Sequence, residues 1–132
     1  MKSIRSARIL QLALTFCAAA LVAAQAQAPG IQRTILQRTD IGDREVVLGL
    51  AEIAPGGSTG RHTHPGIETG YVLEGTAVLV IDCEAPRVLK AGDSYSIAAG
   101  KVHDARAEAT AAAKVIATYV VEKGKPLASP AP

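Results

Sequence analysis

Two of the three histidines in this 132-residue sequence, His62 and His64, lie one residue apart, and Glu68 follows four residues after His64. Alternate side chains of a β-strand share a face, so two such imidazoles would lie about 7 Å apart on one side. The third histidine, His103, lies in another glycine-marked segment and is the candidate to join them across the fold. Imidazole and carboxylate groups bind divalent transition metals. The spacing therefore predicts a metal site made of His62, His64, Glu68 and His103.

A six-coordinate ion held by four protein side chains keeps two positions for water, a substrate or O₂. An open position distinguishes a catalytic metal from a structural one. The alternative for His103 taken alone is an ordinary core or surface histidine. No catalytic residue beyond the four candidate ligands is evident from the sequence.

Residues 1–26 have the layout of a secretory signal peptide. Lys2, Arg5 and Arg8 precede an apolar run, Ile9 to Ala24, and small residues surround a predicted cleavage site after Ala26. The apolar run of about 16 residues is shorter than the roughly 20 that a spanning helix needs. We therefore expect export to the periplasm or the extracellular space without a stable membrane anchor, and an uncleaved anchor is the alternative.

The charge balance changes when the signal is removed. The whole chain has 14 Lys and Arg against 12 Asp and Glu. The signal takes away three basic residues and no acidic one, which leaves 11 against 12 and a net charge of −1. The mature chain has no run of basic residues and only three aromatic residues, so we expect no nucleic-acid partner.

Cysteine usage predicts no internal disulfide in the mature chain. Cys17 would be lost with the signal, and Cys83 alone would remain. Cys83 ends an apolar run, so we expect a buried or inert thiol. A metal ligand or a nucleophile is the alternative.

From Ile31 onward, short apolar or alternating runs are separated by turn residues, which is typical of an all-β sandwich or barrel. Residues 104–114 are predicted to be a strand end followed by a small-residue loop, with a helix as the alternative. Residues 123–132, KGKPLASPAP, are predicted to form a flexible proline-rich tail. The predicted strands are Ile31–Thr39, Glu45–Ile53, Arg61–His64, Glu68–Leu73, Thr76–Asp82, Arg87–Leu89, Ser94–Ile97 and Lys114–Glu122.

The segment 56–75 carries a family resemblance. The spacing of Gly56, His62, His64, Glu68 and Gly75 resembles the first motif of the cupin superfamily and matches it at every defined position.

A second motif of the same family is matched in part. Gly92, Gly100 and His103 stand at its glycine and histidine positions, whereas Ala98 and Ala107 replace the proline and the asparagine. The two departures concern the turn and the surroundings of His103, and the histidine itself is kept.

The resemblance implies that residues 27–122 form one small jelly-roll β-barrel of the RmlC-like kind found in small bacterial cupins. It also implies one divalent ion, Fe, Mn, Zn, Ni or Cu, bound in the barrel mouth by three histidines and one glutamate. The function it implies is a metalloenzyme that binds a small oxygen-bearing substrate, with dioxygenase-like or Lewis-acid isomerase or lyase chemistry. The alternative is a non-catalytic envelope protein that binds a small ligand or the metal. A homodimer is expected by the same analogy.

Strand alternation predicts which neighbours of Glu68 face the cavity. Gly70 and Val72 should share its face, and Gly70 should leave open volume beside the ion. The opposite face should carry Thr69, Tyr71 and Leu73.

Four further polar residues are candidates for substrate binding. Arg61 and Lys101 flank the ligands in sequence and could hold an anionic substrate at the rim, as could Arg106. Tyr95 could offer a phenol as an acid or hydrogen-bond donor. The alternative is a solvated side chain for the basic residues and packing for the tyrosine.

Overall fold

A computed structural model describes residues 30–132. The predicted signal peptide, Cys17 and the first three residues of the predicted domain lie outside the described residues. Within residues 30–132 the chain forms ten β-strands and no helix. The strands are β1 Ile31–Ile41, β2 Arg44–Ile53, β3 His62–Thr63, β4 Gly66–Glu74, β5 Thr76–Ile81, β6 Arg87–Lys90, β7 Ser94–Ile97, β8 His103–Ala107, β9 Ala113–Glu122 and β10 Ser129–Pro130.

The strands form two five-stranded antiparallel sheets. One has the order β1-β2-β9-β4-β7 and the other β10-β3-β8-β5-β6. Neighbours in each sheet are mostly distant in sequence, so the chain crosses repeatedly between the sheets. This confirms the prediction of an all-β fold. In the described part of the chain, nothing has the helical length and apolarity needed to cross a membrane.

The core lies between the sheets and is aliphatic, as the shortage of aromatic residues predicts. Val72 and Val115 from the first sheet pack against Leu79, Ile81 and Leu89 from the second. In β4, buried and exposed residues alternate from Gly66 to Leu73, which gives the strand one inward face. Burial of such side chains stabilises the sandwich by roughly 1.5–3 kcal/mol each.

The connection between β8 and β9 is the predicted strand end followed by a loop, and the helical alternative is absent from residues 104–114. The loop passes close to Gly75, where the backbone has φ of +74°. A Cβ at Gly75 would lie 2.1 Å from the carbonyl oxygen of Ala112. Only glycine fits at the end of the first motif, because it has no side chain and tolerates a positive φ.

The proline-rich tail differs from the prediction. Ser129 and Pro130 pair with Thr63 and His62, so that β10 forms an edge of the second sheet. The backbone N–H of Ala131 also donates to the carbonyl of Arg61 at 3.0 Å. Proline is tolerated at a sheet edge because the missing N–H breaks no interior ladder. Composition indicates a solvated segment, but the open edge of β3 provides a partner.

The prediction of a buried thiol at Cys83 is wrong. Cys83 is exposed, and it lies with a φ of +67° in the turn that follows β5. The N–H of Glu84 donates to the carbonyl of Ile81 at 3.0 Å and closes this turn. The apolar run therefore ends at Ile81, before the cysteine.

Candidate metal centre

The four predicted ligands come together in the structure. His62 lies on β3, Glu68 on β4 and His103 on β8, while His64 immediately follows β3. One nitrogen or oxygen atom from each of the four lies within 4.8 Å of the others, and all four residues are buried. His62 and His103 are direct partners in the pairing of β3 with β8. Two of the ligands are thus set opposite each other by the sheet itself.

Each histidine is oriented by a backbone carbonyl at its Nδ1 atom. A carbonyl only accepts hydrogen bonds, so each Nδ1 carries a proton, and in the neutral form of each ring Nε2 is the unprotonated atom. Ligating histidines in proteins are commonly held in this way. The contacts are His62 Nδ1 to Gly60 O at 2.7 Å, His64 Nδ1 to Leu127 O at 2.6 Å, and His103 Nδ1 to Lys101 O at 2.9 Å.

The side-chain atoms that face each other have no satisfactory partner. Glu68 Oε2 lies 2.9 Å from His64 Nε2 and 3.2 Å from His103 Nε2. All three atoms are buried, and none makes a hydrogen bond of acceptable geometry. With the proton on Nδ1, nitrogen lone pairs face a carboxylate oxygen, which is unfavourable unless a cation lies among them.

The spacing of these atoms also fits a divalent ion. Donor atoms bound at about 2.1 Å to one ion are about 3 Å apart when they subtend a right angle. The two contacts of Glu68 Oε2 match that separation. In the metal-free protein a proton on His103 would neutralise the same charge. Burial lowers the pKa of His103, but its contacts with Glu68 and the Lys101 carbonyl outweigh burial and raise it.

The electrostatics of the cluster keep its acid ionised and one base neutral. Burial alone would raise the pKa of Glu68, yet contacts with His103, His64 and Tyr95 hold it well below its usual range. Burial lowers the pKa of His62 to about 4, despite the opposing contact with Gly60. Burial and then the charge of Glu68 raise the pKa of Tyr95 far above its usual value. At neutral pH the site holds one carboxylate and a neutral phenol.

Tyr95 lies in the site and fixes the glutamate. Its hydroxyl donates to Glu68 Oε1 at 2.7 Å, which leaves Oε2 directed at the histidines. Tyr95 is paired with Gly70 across β4 and β7. A Cβ at Gly70 would lie 2.2 Å from the tyrosine ring. The prediction of open volume beside Gly70 is therefore wrong, because the Tyr95 ring fills that space.

The predicted face alternation of β4 is confirmed. Glu68, Gly70 and Val72 are buried, whereas Thr69 and Leu73 are exposed. Tyr71 is 45% exposed and lies outside the cavity.

The basic rim candidates do not line the cavity at the ligands. Arg61 forms a two-point ion pair with Asp82, at 2.8 and 2.9 Å, on the surface. Lys101 is exposed, and its carbonyl, not its ammonium group, contacts His103. Arg106 Nε donates to Asp104 Oδ2 at 2.7 Å. None of the three basic residues is among those that surround the cavity.

Asp104 is a buried residue that the sequence did not single out. It accepts hydrogen bonds from Ser58 Oγ at 2.7 Å and Thr59 Oγ1 at 3.0 Å, in addition to Arg106. Ser58 Oγ in turn accepts from the N–H of Gly60 at 2.9 Å. Asp104 therefore holds the loop whose Gly60 carbonyl orients His62. The sequence signal for Asp104 is its position directly after His103, the histidine of the second motif.

A cavity opens beside the cluster, and Arg33 of β1 reaches it. The cavity offers about 30 Å³ to the centres of water molecules, more than the roughly 10–15 Å³ that one water needs. Arg33 was also missed from the sequence. The only sequence signal was strand alternation, which puts Arg33 on the same face as the apolar residue Ile31 two positions earlier.

Known proteins share sequence and fold with this chain. The family model described as Cupin domain matches residues 49–119. Dimethylsulfoniopropionate lyase DddW of Ruegeria pomeroyi is 34% identical over 71 residues, which are 54% of this chain and 46% of that protein. The chain thus spans about half of the length of the curated relative that it matches.

Two solved structures have the same fold. The polyketide cyclase RemF from Streptomyces resistomycificus has a TM-score of 0.63 and 28% identity, over 75% of this chain and 70% of that one. The DMSP lyase DddQ from Ruegeria pomeroyi has a TM-score of 0.65 and 18% identity, over 76% of this chain and 51% of that one. These matches confirm the predicted jelly-roll fold. Since the family model covers more than half of the sequence and the fold agrees, the chain belongs to the cupin domain family.

Proposed function

We propose that the protein is a metal-dependent enzyme that binds one divalent transition-metal ion through His62, His64, Glu68 and His103. The convergence of three buried, unsatisfied atoms supports this most directly: Nε2 of His64, Nε2 of His103 and Oε2 of Glu68. Their Nδ1 partners prevent the histidines from satisfying Glu68 by themselves while they are neutral. An ion at this point would remove the conflict.

The residues around the cluster give the site its chemical character. A bound ion of this kind supplies Lewis acidity and orients an oxygen-bearing ligand at its open positions. Tyr95 holds Glu68 in one orientation through its 2.7 Å hydrogen bond. Aliphatic walls restrict water and strengthen electrostatic interactions inside the cavity. They are formed by Ala51, Ile53, Leu79, Ile97, Val115 and Ala117, with Ala105 beside them.

Among the reactions that such a site can perform, we propose a lyase reaction on a small substrate. The similarity to two proteins named dimethylsulfoniopropionate lyases, one of them at 34% identity, supports this choice. Dimethylsulfoniopropionate is therefore the first substrate to test. Dioxygenase-like and isomerase reactions use the same kind of open metal site and belong in the same screen.

The second candidate function is non-catalytic binding of a small ligand or of the metal itself. The contacts of Tyr95 favour it, because its hydroxyl already donates to Glu68, and within residues 30–132 no other titratable side chain besides the candidate ligands and Arg33 lines the cavity. Multiple turnover that His62→Ala abolishes would exclude this function. Stoichiometric ligand binding without turnover would support it.

The metal proposal is tested by elemental analysis of the purified protein. We expect about one ion per chain in the wild type and almost none in a His62→Ala/His103→Ala variant. Tyr71→Phe is the matched control, since that side chain lies outside the cavity and should leave the metal content unchanged. Equal metal in the wild type and the double variant would contradict the proposal.

Export, metal source and dimerisation are further parts of the proposal. Export is supported by the sequence of residues 1–26, and sequencing of the mature N-terminus would test cleavage after Ala26. An ion acquired outside the cytoplasm follows availability and the Irving–Williams order, which favours Cu and Zn. Protein recovered from the envelope should therefore differ in metal from protein expressed in the cytoplasm. The homodimer is supported by family analogy, and sedimentation would test it.

A further inference from the structure

Arg33 lies at the wall of the same cavity as the candidate metal ligands. It extends from β1, and its Nη2 atom donates to the carbonyl oxygen of Thr59 at 3.1 Å. Thr59 in turn belongs to the loop that Asp104 holds in place. This hydrogen bond holds the guanidinium at the wall of the cavity that His62 and Glu68 also line.

The charges of the cavity are unbalanced once a divalent ion is included. Among the residues that surround it in the described structure, Glu68 is the only acid and Arg33 the only permanent base. An ion of charge +2 with one carboxylate leaves a positive charge, and Arg33 adds another. In a cavity with aliphatic walls, such an excess favours an anionic ligand.

The chemistry of the guanidinium indicates which anion. Its planar fork of N–H groups matches a carboxylate, which it can bind through two parallel hydrogen bonds. Burial lowers the pKa of Arg33, but arginine remains charged in proteins, so the group keeps its affinity for anions. The cavity is small, so the ligand must be small as well.

We propose that Arg33 is a specificity residue that binds the carboxylate of a small carboxylic-acid substrate while a second oxygen of that substrate faces the metal ligands. The second half of this statement rests on the proposed metal function. Arg61 and Arg106 are not candidates for this role, because neither of them lines the cavity.

The test uses glycolate, a small hydroxy carboxylate, and its neutral counterpart glycolamide. Both are titrated calorimetrically into zinc-treated wild-type protein and into Arg33→Gln and Arg33→Lys variants, with the zinc content of each measured beforehand. Arg38→Gln is the matched control, because Arg38 lies on the same strand but pairs with Glu45 at the surface.

We expect the wild type and Arg38→Gln to bind glycolate at least about tenfold more tightly than glycolamide. Arg33→Gln should lose that preference with unchanged zinc content, and Arg33→Lys should keep part of it, because the charge remains without the fork. A glycolate affinity in Arg33→Gln within about twofold of the wild type would overturn the proposal. Equal binding of both probes by the wild type, or no binding of glycolate, would overturn it as well, even if Arg33→Gln failed to fold.

Failure of the metal proposal would look different. Wild-type protein without zinc would contradict the metal site, whatever Arg33 does. The same titrations on that metal-free protein would still decide the role of Arg33, since a carboxylate preference that Arg33→Gln removes needs no ion. A zinc-containing protein without a carboxylate preference would contradict Arg33 alone.

Discussion

The Nδ1 atom of His64 lies 2.6 Å from the carbonyl oxygen of Leu127, 63 residues further along the chain. This contact joins the C-terminal segment to the candidate metal centre. The segment continues into β10, which pairs with β3 and so lies beside His62 as well. Residues 127–132 therefore orient a candidate ligand and cover the strand that carries another.

Deletion of residues 127–132 should lower zinc affinity about 10- to 100-fold, the usual effect of losing a group that orients a metal-bound histidine. His64 would lose its carbonyl partner and with it the preference for the tautomer that presents Nε2. Competition with a chromogenic chelator would measure the change. Deletion of Ala131 and Pro132 alone is the control, because Leu127 stays and only contacts with Arg61 are lost. Equal losses in both deletions would contradict this role of Leu127.

Tyr95→Phe should destabilise the protein by about 1.5–3 kcal/mol, since a buried carboxylate loses a hydrogen bond. The phenylalanine ring would still fill the space at Gly70, so the change in stability would report the loss of the hydroxyl group alone. Zinc affinity should fall too, because Glu68 loses the contact that holds its orientation. Urea unfolding of the metal-free protein measures the first effect. Tyr71→Phe, at an exposed position of β4, should change neither quantity.

Gly70→Ala should cost about 1–3 kcal/mol, because the new methyl group collides with the Tyr95 ring. Combining it with Tyr95→Leu should cost less than the sum of the single changes, since the smaller side chain vacates the contested space. A double-mutant cycle from urea unfolding gives the coupling. Additive costs would show that the ring does not limit position 70.

The metal-free protein should lose stability as the pH falls from about 6.5 to about 4. Burial depresses the pKa of His62 in the folded state, so the unfolded chain binds the proton first, and the loss can reach about 3 kcal/mol. The raised pKa of His103 gives a stabilisation that is lost only as the pH rises above 6.5, so this contribution stays constant within the window. The depressed pKa of Glu68 adds a further loss below its ordinary value of 4.5.

Urea unfolding at a series of pH values would measure this dependence, with His62→Gln as the comparison. The variant should show a flatter profile between pH 6.5 and pH 4.5. A profile as steep as that of the wild type would show that another group titrates in this window.

Asp104→Asn should destabilise the protein by about 1–3 kcal/mol, because the amide cannot accept from Arg106 and from both hydroxyl groups at once. The loop that presents Gly60 to His62 would loosen, so zinc affinity should fall with stability. Asp82→Asn is the comparison, since it removes an exposed ion pair with Arg61 and should have little effect. Urea unfolding of both variants measures the contrast.

The sequence predicted the parts of the fold that depend on local pattern. Alternation in β4 and the turn residues around it determine which side chains face inward, and Glu68 with Val72 follows that pattern. The spacing of His62, His64 and Glu68 likewise indicates a shared face. These relationships involve neighbours within one or two strands, so the sequence pattern contains them.

The parts that were missed depend on contacts between distant segments. Leu127 reaches His64 only because β3 has an open edge, which composition does not reveal. Alternation puts Arg33 on the same face as Ile31, but its place at the cavity depends on the pairing of β1 with β2, where Arg33 lies opposite the cavity residue Ala51. Tyr95 fills the volume expected at Gly70 because β7 lies next to β4, and that order of strands is not sequential.

The shortness of β3 has a kinetic consequence. This strand has two residues and is held between β10 and β8, so few hydrogen bonds resist its local opening. Segments of this kind open with much smaller free energies than the core strands. We therefore expect the rate of ion exchange to follow the fraying of β10, and amide hydrogen exchange at Thr63 to report the same event. The lifetime of the bound ion would then be set by an edge strand that carries none of its ligands.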